Sequence, residues 1–136
     1  MTTPTLTSRW QSMTPQFLSI LRIAAAFIFI QSGMMKLFGY PTTKIGGGTV
    51  ALFSQMGVGG ILEFFGGALL LLGFCTRPVA FILSGEMAVA YFQFHAPRGF
   101  WTLENGGGQA MLFCFLWLFI SAAGAGPWSL DALRKK

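Results

Sequence analysis

Apolar residues gather into four stretches, separated by short segments that contain polar residues, glycine or proline. The stretches cover residues 17–36, 57–74, 78–94 and 109–123. A transmembrane α-helix needs about 20 mostly apolar residues, so the pattern predicts four spans, of which the fourth is short at its edges. Gly39-Tyr40-Pro41 ends the first stretch, and Arg77-Pro78 marks a tight turn between the second and the third. The predicted fold class is an all-α, four-helix transmembrane bundle.

Composition agrees with a membrane protein. Apolar residues make up 54% of the chain and charged residues only 10%, against about 25% charged residues in an average soluble domain. Mean hydropathy is +0.64. A chain of 136 residues has room for four spans and short loops, so we expect one membrane domain, with residues 1–16 and 124–136 outside the bilayer. The N-terminus lacks a charged start, and no cleavable signal is predicted.

Basic residues predict the orientation of the bundle. With a cytoplasmic N-terminus, the inner side carries Arg9, Arg22, Arg77, Arg134, Lys135 and Lys136. The outer side then carries Lys36, Lys44 and Arg98. The positive-inside rule favours this arrangement, with both termini in the cytoplasm (N-in/C-in). Because the cations are spread over several loops, the net charge of +5 indicates topology, and we expect no nucleic-acid binding.

Two glutamates, Glu63 and Glu86, lie inside the apolar stretches. A carboxylate in hydrocarbon is costly unless it is paired, protonated or hydrated, so such a residue suggests a functional site. On a helical wheel Glu63 shares its face with Gly59 and Gly66, which lets a neighbouring helix approach closely. Glu63 should therefore point at protein. The depth of Lys36 in the first span allows an ion pair between Lys36 and Glu63.

Glu86 lies near the middle of the third span and shares a face with Gln93. Desolvation predicts that Glu86 is protonated at neutral pH and hydrogen-bonded near Gln93. His95, at the outer end of that span, could relay protons or contact a quinone headgroup, although many interfacial histidines are simply hydrated. The candidate polar centre therefore comprises Glu63, Glu86, Lys36, Gln93 and His95. No catalytic residue can be assigned among them.

Each of these residues also has a purely structural interpretation. Arg22 and Lys36 lie near helix ends, from which long cationic side chains snorkel to lipid headgroups. In this interpretation Glu63 is simply an ion-pair or hydrogen-bond partner between helices. A protonated Glu86 likewise only donates a hydrogen bond to a backbone carbonyl. One histidine, four acids and two cysteines show no spacing that builds a metal or haem site. Cys75 and Cys114 are predicted near opposite faces of the membrane, so we expect no disulfide between them.

Several motifs together resemble the DoxX family of small four-helix bacterial inner-membrane proteins. They are Arg22, Gly33 and Lys36 of the first span, residues 62–73, Thr76-Arg77-Pro78, residues 84–92, His95, Asn105-Gly106-Gly107 and residues 126–131. The resemblance extends from Phe17 to Asp131. It departs at Gly108, where relatives commonly carry an acidic residue. The resemblance implies a multi-pass protein of the bacterial cell inner membrane, in contact with the lipid bilayer.

The resemblance also implies a function class. The family takes its name from a membrane subunit of a quinone-linked oxidoreductase, so we expect a membrane subunit of a redox or oxidative-stress complex, with quinone as a possible cofactor and a protein partner. Two alternatives stay open. One is a non-catalytic membrane scaffold for a partner protein. The other is a small transporter, which the length of the chain disfavours unless the protein forms a homo-oligomer.

Overall fold

The computed structural model describes residues 2–41 and 49–135, and in these ranges all regular secondary structure is helical. Two helices, Thr14–Phe38 and Gln55–Leu72, are long and apolar enough to cross a membrane, and the apolar helix Gly108–Ala123 is shorter. The first two predicted spans therefore have membrane-spanning length. Lys44 and Lys136, which were counted in the predicted orientation, lie outside the described residues.

Four long helices make up the body of the molecule. The α-helices are α1 (Leu6–Ser12), α2 (Thr14–Phe38), α3 (Gln55–Ile61), α4 (Gly67–Leu72), α5 (Thr76–Ala90), α6 (Thr102–Asn105), α7 (Gly108–Ala123) and α8 (Leu130–Arg134). A π-helical segment, Leu62–Gly66, joins α3 to α4, and a second, Tyr91–His95, extends α5 before a 3₁₀ turn at Ala96–Arg98. We call α2 the first long helix, residues 55–72 the second, residues 76–95 the third and α7 the fourth.

Glycines allow the first and second long helices to approach closely. A Cβ atom at Gly33 would lie 2.5 Å from the backbone nitrogen of Phe64, and one at Gly60 would lie 2.9 Å from the Lys36 Cβ. No other residue fits at Gly33 without moving backbone, which is the small-residue packing expected of membrane helices. The contact brings Lys36 to the second long helix.

The apolar core lies between the four long helices. The first packs on the second, and the third packs along the fourth. Each long helix contributes to the fully buried set, which includes Ala26, Phe29, Leu70, Leu83 and Trp117. Phe29 meets Trp117 edge to face, with ring centroids 5.5 Å apart. Side chains on the outer surface, such as Phe81 and Phe115, are exposed, as expected for a surface that faces lipid.

The bundle has two distinct ends. At the tail end, the start of α2 and the turn at residues 73–75 lie against residues 124–131, and the Asp131 N–H donates to the Gly73 carbonyl over 2.8 Å. At the loop end, the end of α2 and the start of α3 lie near the π-helical segment Tyr91–His95 and residues 96–107. Both ends of the described chain are therefore at the tail end.

Arg22 is completely buried at the tail end. Its guanidinium donates to the carbonyl of Ala125 over 2.6 Å and to that of Trp128 over 2.7 Å. Ser19 supports the same segment, because its hydroxyl accepts from the Trp128 N–H over 3.1 Å. The snorkelling interpretation of Arg22 is therefore wrong: the C-terminal segment folds back over the helix end and supplies the carbonyls that the cation would otherwise seek among headgroups.

Asp131 fastens the same segment to the third long helix. Its two carboxylate oxygens accept from the backbone N–H groups of Cys75 and Thr76, both over 2.9 Å, at the start of α5. Burial opposes ionisation of Asp131, but these hydrogen bonds and the nearby Arg134 outweigh it and lower the pKa of the carboxyl group. An ionised aspartate thus caps the helix whose preceding residue, Cys75, has a left-handed backbone with φ of 51°.

Candidate functional site

A cavity of about 610 Å³ separates the second and third long helices toward the loop end. The π-helical segment Leu62–Gly66 and α4 pack on α5, whereas α3 diverges from it. Most of the lining is apolar, and the polar lining side chains are Lys36, Gln55, Glu63, Glu86, His95 and Arg98. The volume falls in the range of small-molecule sites, about 300–1,000 Å³. Of the five candidate residues, the structure brings four together here, and Gln93 is the exception.

Lys36 and Glu63 form the ion pair that the sequence predicts. The Lys36 Nζ lies 2.6 Å from the Glu63 Oε1, and the side chains are 20% and 3% exposed respectively. The second carboxylate oxygen of Glu63 is buried and has no hydrogen-bond partner within the described part of the chain. Glu63 belongs to the π-helical segment Leu62–Gly66, and such segments often occur at functional sites. The pair therefore leaves one buried acceptor unused.

Glu86 reaches from the third long helix to the second at Gly59, beside the cavity. A Cβ atom at Gly59 would lie 3.1 Å from the Glu86 Oε1, so this glycine leaves the space that the carboxyl group occupies. The other oxygen, Oε2, is buried and unpartnered among residues 2–41 and 49–135. Within the described part of the chain, Glu63 and Glu86 thus each have one buried carboxylate oxygen without a hydrogen-bond partner.

The prediction that Glu86 is hydrogen-bonded within the bundle near Gln93 is wrong for the described residues, because its Oε2 has no partner there and Gln93 is engaged elsewhere. Gln93 instead accepts a hydrogen bond from the Gln55 amide, which connects the third long helix to the start of the second. A helical wheel with the constant angle of an α-helix places Glu86 and Gln93 on one face. The third long helix widens to a π-helix at Tyr91, where each residue advances by a smaller angle around the helix axis. Gln93 is consequently exposed at the surface.

His95 is oriented by the outer turn. Its Nδ1 lies 3.1 Å from the Asn105 carbonyl oxygen. Since a carbonyl oxygen only accepts, Nδ1 carries the proton and Nε2 of the neutral ring is left as an acceptor. Asn105 is 1% exposed, and its side chain donates to the Gly99 carbonyl and accepts from the Gly107 N–H. Sequence reasoning used Asn105-Gly106-Gly107 only as a motif of the family resemblance and missed that it positions the histidine.

A smaller cavity of about 170 Å³ lies within the bundle, on the other side of the ion pair. Lys36, Glu63, Ala90 and His95 line both cavities. The smaller one adds Ser32 of the first long helix and Gln109 of the fourth. Neither residue was singled out from the sequence, because their proximity depends on how four helices pack. The ion pair and His95 therefore lie between the 170 Å³ cavity, which is inside the bundle, and the 610 Å³ cavity, which forms a cleft between the second and third long helices.

The described residues offer little for metal binding or disulfide chemistry. Within residues 2–41 and 49–135, no group of three or more histidine, cysteine, aspartate or glutamate side chains could hold a metal ion. Cys75 and Cys114 are both free thiols. The ionisable groups that line the larger cavity are the carboxyl groups of Glu63 and Glu86, the Lys36 ammonium, the Arg98 guanidinium and the His95 imidazole.

Comparison with known proteins assigns the family. The DoxX family model matches residues 17–96, which include all five candidate residues. The chain belongs to the DoxX family. It is 42% identical over 120 residues to an uncharacterized protein of Haemophilus influenzae, covering 86% of this chain and 90% of that relative. It is also 30% identical over 129 residues to the inner membrane protein YqjF of Escherichia coli K12, covering 86% and 91%. No solved structure matches.

The family match makes this chain a DoxX membrane protein, and its exposed apolar surface contacts the lipid bilayer. The match ends just after His95, so it covers the first three long helices and stops before the Asn105 turn and α7. The Lys36–Glu63 ion pair and Glu86 therefore lie in the part of the chain that the family model matches. The residues that orient His95 lie beyond it.

Proposed function

We propose that this DoxX protein is a four-crossing protein of the bacterial inner membrane with both termini in the cytoplasm. The name of the relative YqjF supports the inner membrane, and the location of both chain ends at the tail end supports an even number of crossings. Arg77, Arg134 and Lys135 lie at the tail end, while Arg98 lies at the loop end. The positive-inside rule favours a cytoplasmic tail end.

We further propose that the 610 Å³ cavity binds the headgroup of a lipid-soluble quinone, within a membrane subunit of a redox or oxidative-stress complex. The observation that carries this proposal is the pair of unpartnered buried oxygens, one on Glu63 and one on Glu86, beside a paired lysine. Buried polar atoms normally have partners, so these two are available for a ligand or water.

The donor set fits such a headgroup. A quinone carbonyl requires donors, and the Lys36 ammonium has three N–H groups, of which Glu63 Oε1 takes one. The hydroxyl groups of the reduced form require acceptors, and the Glu63 Oε2 and the His95 Nε2 are acceptors. A bound quinone supplies two-electron, two-proton chemistry, with electrons from a redox partner. The chain orients the headgroup through Lys36 and holds protons on Glu63 and Glu86.

The cleft gives a lipid-soluble ligand a route of entry. It lies between two helices, and its rim residues Val58, Ile82 and Val89 are about half exposed on the surface that lipid would cover. An isoprenoid tail can therefore remain among lipid chains while the headgroup reaches the polar residues. Soluble substrates have no comparable reason to enter between apolar helices.

Quinone content tests the proposal directly. Protein purified in mild detergent should carry quinone, detected by its absorbance after extraction. A Gly59→Leu variant should lose it, because the new side chain fills the cavity beside Glu86. Ile61→Leu is the matched control, since Ile61 lies on the same helix, faces outward and does not line the cavity. Equal quinone content in both variants would contradict the site.

Substitutions at Glu86 separate proton chemistry from packing. Glu86→Gln should keep the fold, because the amide preserves shape and polarity, and should abolish any proton-coupled activity. Glu86→Leu should accumulate normally if the residue only packs, since an apolar side chain is favourable in hydrocarbon. Activity is measured by genetic complementation at matched membrane levels. Full function of both variants would eliminate the catalytic role.

A non-catalytic scaffold is the second candidate. The observation that favours it is the number of polar groups already engaged in internal bonds, as in the Lys36–Glu63 pair and the bonds of Arg22, Asn105 and Asp131. A pull-down in mild detergent that recovers a partner but no quinone supports the scaffold. Solute flux into liposomes would instead support a small transporter.

A further inference from the structure

We propose that the 170 Å³ cavity is a water-filled path by which protons reach Glu63 from the loop end only. The proposal deepens the proposed function and rests on it, because it names the source of the protons for the quinone site. The cavity touches the ion pair from inside the bundle, whereas the larger cavity touches it from the lipid-facing cleft.

The smaller cavity has a polar side and an apolar side. Toward the loop end it is lined by Gly106, Gln109 and His95, and the first two of these residues are exposed. Toward the tail end it is lined by Phe29, Met87 and Phe113, each of which is buried. Water can therefore enter beside Gln109, and tightly packed apolar side chains close the path in the other direction.

Apolar packing continues below this closure. Leu70, Leu83, Trp117 and Ile120 are fully buried between the cavity and the tail end. Interiors packed to this density leave no space for a chain of water molecules. Protons bound by Glu63 consequently exchange with one side of the membrane.

The polar lining requires water. When no quinone is bound, the Glu63 Oε2 has no hydrogen-bond partner among the described residues, and Glu63 is only 2% exposed; a buried carboxylate oxygen without a hydrogen bond is costly. A cavity of 170 Å³ holds several water molecules, since each occupies about 30 Å³ in the liquid. Ser32, Gln109 and His95 supply the further polar groups that an ordered water needs.

The path has a defined order of groups. A proton passes from water near Gln109 to the water chain beside the His95 Nε2, which accepts and releases it while Asn105 holds Nδ1. It then reaches Glu63, whose charge the Lys36 ammonium balances. Among the described residues, Glu86 and Arg98 are the other ionisable groups that line the larger cavity. No electron is transferred along this path.

Cysteine accessibility tests the path without any quinone. In a background with both native cysteines replaced by serine, Ser32→Cys places a thiol in the smaller cavity with little change in shape. Ser84→Cys is the matched control, because Ser84 is buried, bonds the Cys114 carbonyl and lines neither cavity. Leu103→Cys, which is 98% exposed at the loop end, identifies the membrane face on which that end lies.

A membrane-impermeant methanethiosulfonate is applied separately to each face of the membrane. We expect the Ser32→Cys thiol to react from the face that modifies Leu103→Cys, several times faster than the Ser84→Cys thiol. Adding Gln109→Leu should slow the reaction, since it places an apolar side chain at the entrance. Reaction no faster than that of Ser84→Cys, or reaction from the opposite face, would overturn the path.

The two proposals can fail separately. If purified wild-type protein contains no quinone but the Ser32→Cys thiol is labelled as expected, the quinone site is rejected and the water path is kept. Normal quinone binding with an unreactive Ser32→Cys thiol would reject the path and keep the site.

Discussion

Removing either partner of the Lys36–Glu63 pair should destabilise the protein to unequal extents. The Glu63 side chain is 3% exposed and that of Lys36 is 20% exposed, and the Lys36 Nζ lies 2.6 Å from the Glu63 Oε1. Lys36→Met leaves the more deeply buried charge unpaired, for which about 3–5 kcal/mol of unfolding free energy is expected. Glu63→Leu leaves a lysine that can turn into the larger cavity, so its cost should be about half as large.

The double variant distinguishes a mutual interaction from two separate effects. With both charges replaced, no ion remains unpaired and the site becomes apolar, so stability should return to within about 1–2 kcal/mol of wild type. This recovery is not expected if the residues contribute only packing.

The free energy of unfolding is measured in mild detergent by circular dichroism against denaturant concentration. Wild type, the two single variants and the double variant together form a double-mutant cycle. The coupling free energy is the difference between the double variant and the sum of the single variants. Additive effects, or a larger loss in Glu63→Leu than in Lys36→Met, would refute the reasoning from burial.

Three further predictions concern the tail end and the orientation. Arg22→Met should lower the free energy of unfolding by about 3 kcal/mol, because it removes two charge-assisted hydrogen bonds, whereas the exposed Arg9→Met should be nearly neutral in the same melting assay. Because the pKa of Asp131 is lowered in the folded protein, its ionised carboxylate should stabilise the protein at pH values above the unfolded pKa of about 3.9. The difference in unfolding free energy between wild type and Asp131→Asn should disappear as pH falls through the folded pKa. A difference that stays constant between about pH 2 and 7 contradicts this. A green fluorescent protein fused after the C-terminus should fluoresce, and an active alkaline phosphatase fusion there would contradict N-in/C-in.

Local sequence signals predicted the helices and the ion pair. Long apolar stretches specify helices in a membrane, because every backbone polar group must be bonded within its own segment. Gly39 ends α2 in a left-handed conformation, with φ of 69°, at the position the sequence indicated. Lys36 and Glu63 could be matched because depth along a helix follows directly from residue number.

The orientation of polar groups within the bundle depended on tertiary structure. Gln93 was misplaced because the helix widens at Tyr91, a change that residue counting at a constant angle cannot register. Gln109 and Ser32 lie on different helices, and only packing brings them to one cavity. Orphaned carboxylate oxygens are likewise visible only when all neighbours are known.

Hydrophobicity and helical period, which are local properties, thus determined the helical class, the membrane setting and the depth of each charged residue. Tertiary structure decided which of those charges are bonded and to what. Arg22 illustrates the difference, since its partner Ala125 lies 103 residues away and is a backbone carbonyl that no sequence pattern marks. Burial makes such distant bonds necessary, because a cation without them would have to reach water.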